Sequence, residues 1–163
     1  MLLGTFLVLA SAVGWAMAAP RGAWVGVGLV LLAVIAWVDW RRWVIPGPLV
    51  GMGWVSVLGL RALLAPGTLL DAVAAGVLGW LIFWLLAHLG QGDLGRGDVR
   101  LAGLIGLLTG LLWVIPALLL GMLLGGLMAF VLAVSGRAQM DEGFPYGPAL
   151  CLGAGLVLIQ FLV

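Results

Sequence analysis

The sequence predicts an all-α, polytopic membrane protein, and three observations carry that expectation. Its 163 residues are 65% hydrophobic and only 8% charged, whereas soluble domains carry nearer a quarter charged residues. Mean hydropathy is +1.32 over the whole chain. The apolar residues fall in runs close to the ~20 residues with which an α-helix crosses the hydrocarbon core, and short breaks rich in Arg, Asp, Gly or Pro separate them.

Taken in order, spans are expected over residues 2–19, 22–38, 47–64, 69–89, 99–115, 117–135 and 146–163. The first run ends in "AMAAP", which looks like a signal-peptide cleavage site. No positive charge precedes the run, so residues 1–21 read as a retained N-terminal helix. Asp71 opens the fourth span, where a carboxylate suits a helix N-terminus and its dipole. The run from Val99 to Val134 is too long for one crossing at ~1.5 Å per residue, and Pro116 is the expected break. The expectation is therefore a single integral-membrane domain, residues 1–163, of about seven helices.

Charge placement orients the chain. Lysine is absent and the arginines are scattered, so no basic patch suits a nucleic acid partner. With the N-terminus inside, Arg41, Arg42, Arg96, Arg100 and Arg137 fall on the cytoplasmic side, and only Arg21 and Arg61 outside. Cytoplasmic loops attract such an excess of Arg, so the expected arrangement is N-in and C-out. The single Cys151 lies in an apolar run and offers neither a disulfide framework nor a cysteine metal site. It reads as a small residue packed in a helix.

In this orientation five of the six acidic residues share the cytoplasmic face: Asp39, Asp93, Asp98, Asp141 and Glu142. Asp39 ends the apolar run "LLAVIAWVD", at the unfavourable end of the helix dipole and within reach of the membrane. Both effects favour its protonated form. An ionisable group so placed is a functional candidate; the plain alternative is an interface aspartate paired with Arg41 or Arg42. Asp98 precedes the run "VRLAGLIGLLTG" where an N-cap would sit, and there the dipole favours the ionised form. By position alone, Asp98 is equally a cap or a catalyst. Brought face to face, the two would form a general acid and base able to activate one water for attack on an amide. His88 has no cysteine or clear serine partner, and one histidine with scattered carboxylates makes a poor metal site.

"GQGDLGRGDVRL", residues 90–101, contains Gly-x-Gly-Asp twice; Asp93 is followed by Leu94-Gly95-Arg96 and Asp98 by Val99-Arg100-Leu101. At this point the chain resembles the type IV prepilin peptidase family, membrane aspartyl proteases of the Gly-x-Gly-Asp class. "DWRRWVIPG" resembles the family's first-aspartate block, with Ile-Pro starting six residues after the Asp. "GRGDVRLAGLIG" resembles its second block, Gly-x-Gly-Asp-x-Lys/Arg-Leu. "FPYGPAL" is similar to its late Pro-aromatic-Gly-Pro segment. The likeness covers roughly residues 25–163.

The resemblance implies catalysis by Asp39 and Asp98, with Asp93 a neighbouring loop carboxylate. Gly95, Gly97, Arg100, Pro46, Pro145, Tyr146, Gly147 and Pro148 become supporting residues around substrate and loops. It implies cleavage of the short basic leader of type IV prepilins or pseudopilins, after a glycine, at the cytoplasmic side of the bacterial inner membrane. Asp93, Asp141 and Glu142 would attract such a leader, while Arg41, Arg42 and Arg100 would meet lipid phosphates or the dyad. No metal or cofactor is implied for proteolysis; S-adenosylmethionine would be needed only for methyl transfer. Two features depart from the family pattern. Gly47 follows Ile-Pro where Asn or Asp is common, and only Pro20-Arg21 separates the first two spans, with no Cys-x-x-Cys zinc domain. Three rival readings remain. A small transporter or proton-pathway subunit would use the same carboxylates but near mid-membrane. A membrane acyltransferase would need a phosphate-cradling loop with a histidine or serine in context. An inactive protease-like protein is the third.

Overall fold

A computed structural model describes residues 23–90, 95–135 and 146–160. Within them the chain forms helices α1 (Ala23–Arg42), α2 (Gly47–Leu64), α3 (Leu69–Leu89), α4 (Arg96–Thr109), α5 (Leu111–Val134) and α6 (Gly147–Ile159). A single 3-10 turn, Pro66–Thr68, joins α2 to α3. The protein is all-helical, as expected. Four segments are long and apolar enough to cross a membrane: Trp24–Arg42, Gly47–Leu64, Pro66–Leu89 and Leu111–Val131. The expected helix at residues 1–21 lies outside the described residues.

The expected fifth span, 99–115, is not a span-length helix. α4 has only 14 residues, below the ~17 needed for a crossing. It occupies the middle of the bundle instead, packed against α1, α2, α3, α5 and α6. From Leu101 to Thr109 every residue of α4 is buried. α6, with 13 residues, packs chiefly on α5 and α1.

Small residues make this central position possible. Gly76 and Gly79 of α3 face Ala102 and Gly103 of α4, and Gly106 lies against the backbone of Ala75 and Gly76. A methyl on Gly79 would sit 2.5 Å from the Ala102 carbonyl oxygen, and one on Gly106 would run into the Ala75 carbonyl. Between apolar helices in lipid, such close backbone approach supplies the van der Waals contact that holds them together.

The far end of α4 is closed by three residues. Gly110 takes φ 80°, a left-handed conformation that glycine adopts without penalty, and ends the helix. Buried Arg61 reaches over from α2 and donates from Nη2 to the Leu108 carbonyl at 2.8 Å, with its guanidinium 5.0 Å from the Trp24 ring centroid. Asp71 accepts from the Leu111 N–H, 3.3 Å from Oδ2, so it caps α5 across the bundle. Its own helix α3 has Thr68 at the N-cap; the expected role of Asp71 as a cap of its own span is corrected accordingly.

The break in the long apolar run is thus at Gly110, not at Pro116. Pro116 lies inside α5 and its residue is exposed. In the second turn a proline forfeits one backbone hydrogen bond, whereas Gly110 changes the direction of the chain.

This packing makes a prediction. Gly106→Val should destabilise the fold by about 1–3 kcal/mol, the usual cost of overpacking. Gly51→Ala, where an added methyl meets nothing within 4 Å, should be neutral or stabilising by up to ~1 kcal/mol. Unfolding in mixed micelles measures both, and equal effects would contradict the packing.

Candidate active site

The site begins where α1 ends. Asp39 lies in the last turn of α1 and is only 4% exposed. The Trp43 N–H bonds to the Asp39 carbonyl at 2.8 Å, and Trp43 itself takes φ 56°. A non-glycine residue in the left-handed region is uncommon, and here it stops the helix four residues after Asp39. The chain then passes Ile45 to Pro46, the N-cap of α2, whose φ of −68° fits proline's ring.

Asp98 enters from α4. The N-cap of that helix is Gly95, and Asp98 stands in its first turn, so the expected capping position is corrected by three residues. The expected bias toward ionisation is reversed as well. Burial, with the charge of Asp39 second, pushes the Asp98 carboxyl up to about 6, against the lowering effect of a hydrogen bond from the Gly95 backbone. Desolvation outweighs the helix dipole here because the Asp98 carboxyl, in a first turn whose Arg96 is exposed, is itself partly withdrawn from water.

The third contribution comes from α6. The Gly147 N–H donates to Asp39 Oδ2 at 3.1 Å, in a buried setting. A methyl on Gly147 would sit 2.5 Å from that same oxygen, so only glycine lets the backbone approach. Ile45 fills the space between the blocks: its side chain would be 2.8 Å from a methyl on Gly97 and 3.1 Å from one on Gly147. Tyr146 packs its ring on Gly125 of α5. Burial first, then the charge of Asp98, raises the phenol. Pro148 is buried in the first turn of α6.

The structure therefore brings together Asp39, Asp98, Gly95, Gly97, Tyr146, Gly147 and Pro148, from three separated stretches of sequence. The alternative pairing of Asp39 with Arg41 or Arg42 is not adopted: Asp39 turns to Gly147, and the Arg41 guanidinium lies 4.7 Å from the Trp37 ring centroid. Arg100 is exposed, and its Nη1 would be 2.6 Å from a methyl on Gly47. The missing side chain after Ile-Pro thus leaves room for a guanidinium. Trp54 Nε1 donates to the Arg100 carbonyl at 3.3 Å. Asp93, Pro145, Asp141 and Glu142 lie outside the described residues.

Two residues near the pair escaped the sequence reading of the site. Ile45 was counted only as part of Ile-Pro. Cys151 is buried within electrostatic reach of both Asp39 and Asp98; its position one helical turn after Gly147 was the available signal. Among the described residues, no group of three or more His, Cys, Asp or Glu side chains is placed to hold a metal ion.

Fold and site together define a multi-pass helical membrane protein with two carboxyls from different helices gathered at one end. Residues 26–130 match the type IV leader peptidase family, and the chain belongs to it. It is also 27% identical over 133 residues to a prepilin leader peptidase/N-methyltransferase of Bacillus subtilis (strain 168), a match covering 79% of this chain and 52% of that protein. The chain thus spans about half the length of that curated relative. No solved structure matches it.

The raised Asp98 pKa makes a second prediction. Folded, this carboxyl holds its proton up to about 6; at the ordinary value of 3.8 it would release it sooner. Its contribution to stability is therefore fully present below about 3.8 and is lost as pH rises through about 6. Asp98→Asn should flatten the fall in stability across that window. Asp39→Asn should lower the Asp98 pKa, because it removes the second cause of the rise. Unfolding against pH in detergent, with NMR titration of labelled aspartate carboxyls, checks both; an unchanged pH slope in Asp98→Asn would contradict the assignment.

Proposed function

We propose that this chain is an aspartic endopeptidase that removes the short basic leader of type IV prepilins or pseudopilins. The observation that carries the reading is the convergence of Asp39 and Asp98, from α1 and α4, at one end of the bundle, with the Gly147 N–H held on Asp39. Family membership supports leader processing. The proposed arrangement is one multi-pass helical domain in the bacterial inner membrane, with its N-terminus and the site facing the cytoplasm.

The chemistry proposed needs one water and no metal or cofactor. One carboxylate takes a proton from the water as its oxygen adds to the scissile carbonyl, whose π pair moves onto the carbonyl oxygen and takes the proton of the other carboxyl. The carbon–nitrogen bond of the tetrahedral intermediate then breaks as a proton passes to the departing nitrogen. The two carboxyls titrate as a pair, so the resting proton belongs to both. The Gly147 N–H fixes one oxygen of Asp39, and Ile45, Gly95 and Gly97 hold the approach to Asp98. Pro46, Tyr146 and Pro148 border the place where an extended substrate lies. Asp93, Asp141 and Glu142 draw the basic leader, and S-adenosylmethionine enters only with a methyl-transfer activity.

Cleavage of a peptide with a basic leader and a Gly-Phe junction tests the proposal. Asp39→Asn and Asp98→Asn should each lower turnover by about three orders of magnitude or more, and the double variant should be little worse than either, as in catalytic units that act together. Asp93→Asn should keep substantial turnover, any loss appearing as weaker leader binding that eases in high salt. EDTA should leave activity intact. An inactive Asp93→Asn beside an Asp98→Asn that still cleaves would overturn the assignment.

A further inference from the structure

A second feature lies on the face of α4 turned away from Asp98. A cleft of about 590 Å³ opens between α3 and the first turn of α4. One wall is a ladder of rings along α3. Trp80 and Trp84 stack with centroids 6.1 Å apart and planes at 14°, and Trp84 stacks on His88 at 5.5 Å and 5°. The opposite wall carries Arg96 and Arg100, with Val99 and Ala87 between them and the rings. No carboxylate lines the cleft among the described residues.

The cleft is graded along the membrane normal. From His88 to Trp80 is eight residues of helix, about 12 Å at ~1.5 Å per residue. His88, Arg96 and Arg100 stand at the loop end, where α3 finishes and α4 starts. Trp80 and Trp84 lie deeper, on a segment apolar enough to span, and both rings are exposed. Trp84, one turn below His88, suits the boundary level that tryptophans take in membrane proteins, with the apolar ring toward hydrocarbon and the N–H toward head groups. Paired arginines above the rings, at the loop end, attract anionic lipid, and their planar forks match phosphate oxygens.

We propose that this cleft binds one anionic phospholipid. Its phosphodiester lies between Arg96 and Arg100, and an acyl chain runs down the Trp84–Trp80 wall. Two like charges on the wall disfavour a basic peptide, so the leader proposed above is not the occupant. The inference does not depend on the protease reading; it uses none of the carboxylates.

Native mass spectrometry of the whole chain released from nanodiscs of equal phosphatidylglycerol and phosphatidylcholine tests it. Retention of one phosphatidylglycerol, at least tenfold over phosphatidylcholine, is expected for the unmodified chain. The double variant Arg96→Gln/Arg100→Gln should reduce that retention at least tenfold, and Trp84→Ala should reduce it as well. Should the double variant fail to fold, Trp84→Ala and the lipid preference of the unmodified chain decide the matter. Short-chain phosphatidylglycerol should displace the retained lipid at lower concentration than inorganic phosphate or a polyglutamate peptide. Equal retention of the two lipids, undiminished retention in folded variants, or stronger displacement by phosphate or by the acidic peptide would each overturn the proposal.

Discussion

The close contact of α3 and α4 backbones is the constraint on which the rest of the molecule depends. Gly76 and Gly79 on one helix, Ala102, Gly103 and Gly106 on the other, bring the two main chains together without side chains between them. In a medium as apolar as the side chains themselves, burial supplies little drive, and proximity must come from shape. The result is a short helix with every residue from Leu101 to Thr109 buried. The first turn of α4 emerges at one end of the bundle with Arg96 exposed, and within it Asp98 is half-buried beside Asp39. Arg61, Gly110 and Asp71 terminate the other end, so the helix cannot slide along its axis without losing the Leu108 and Leu111 bonds.

Asp39 is held by a different device. Its helix is stopped by Trp43, and the chain returns through Ile45 and Pro46 against Gly97 and Gly147. The Gly147 N–H then reaches the carboxyl from the start of α6. The carboxyl is held by backbone rather than by an arginine, so it is oriented without being neutralised by a counter-charge. That difference matters for chemistry. An ion pair would hold Asp39 as a permanently ionised partner, whereas a backbone donor leaves its proton exchangeable with a second carboxyl nearby. Like charges sharing a poorly solvated site push the two affinities apart, which is the condition for dividing acid and base work between them.

Much of this was legible from composition and local pattern. The helical class and the boundaries of α2 and α3 follow from apolar runs and their interruptions, whereas the three blocks around Asp39, Asp98 and Gly147 were legible only through their resemblance to a known family. The misreadings have physical causes. Pro116 is the stronger local breaker, but a proline early in a helix costs one bond, while Gly110 takes a backbone angle that redirects the chain. Asp71 was read as a cap of its own helix because sequence shows neighbours along the chain, not the α5 terminus across the bundle. For Asp98, helix position implied an ionised carboxylate, and desolvation from packing outweighed it. Ile45 and the Trp80–Trp84–His88 ladder are ordinary residues whose importance comes only from what stands opposite them.

The central claim is that Asp39 and Asp98 act as one unit on a peptide carbonyl. Binding of a leader peptide carrying a statine-type hydroxyl in place of the scissile carbonyl tests it most directly, because such a group mimics the tetrahedral intermediate and needs both carboxyls. The account predicts tight binding to the unmodified chain and at least a hundredfold weaker binding to either Asp39→Asn or Asp98→Asn, with both variants folded. Equal affinity for the unmodified chain and the two variants would contradict it.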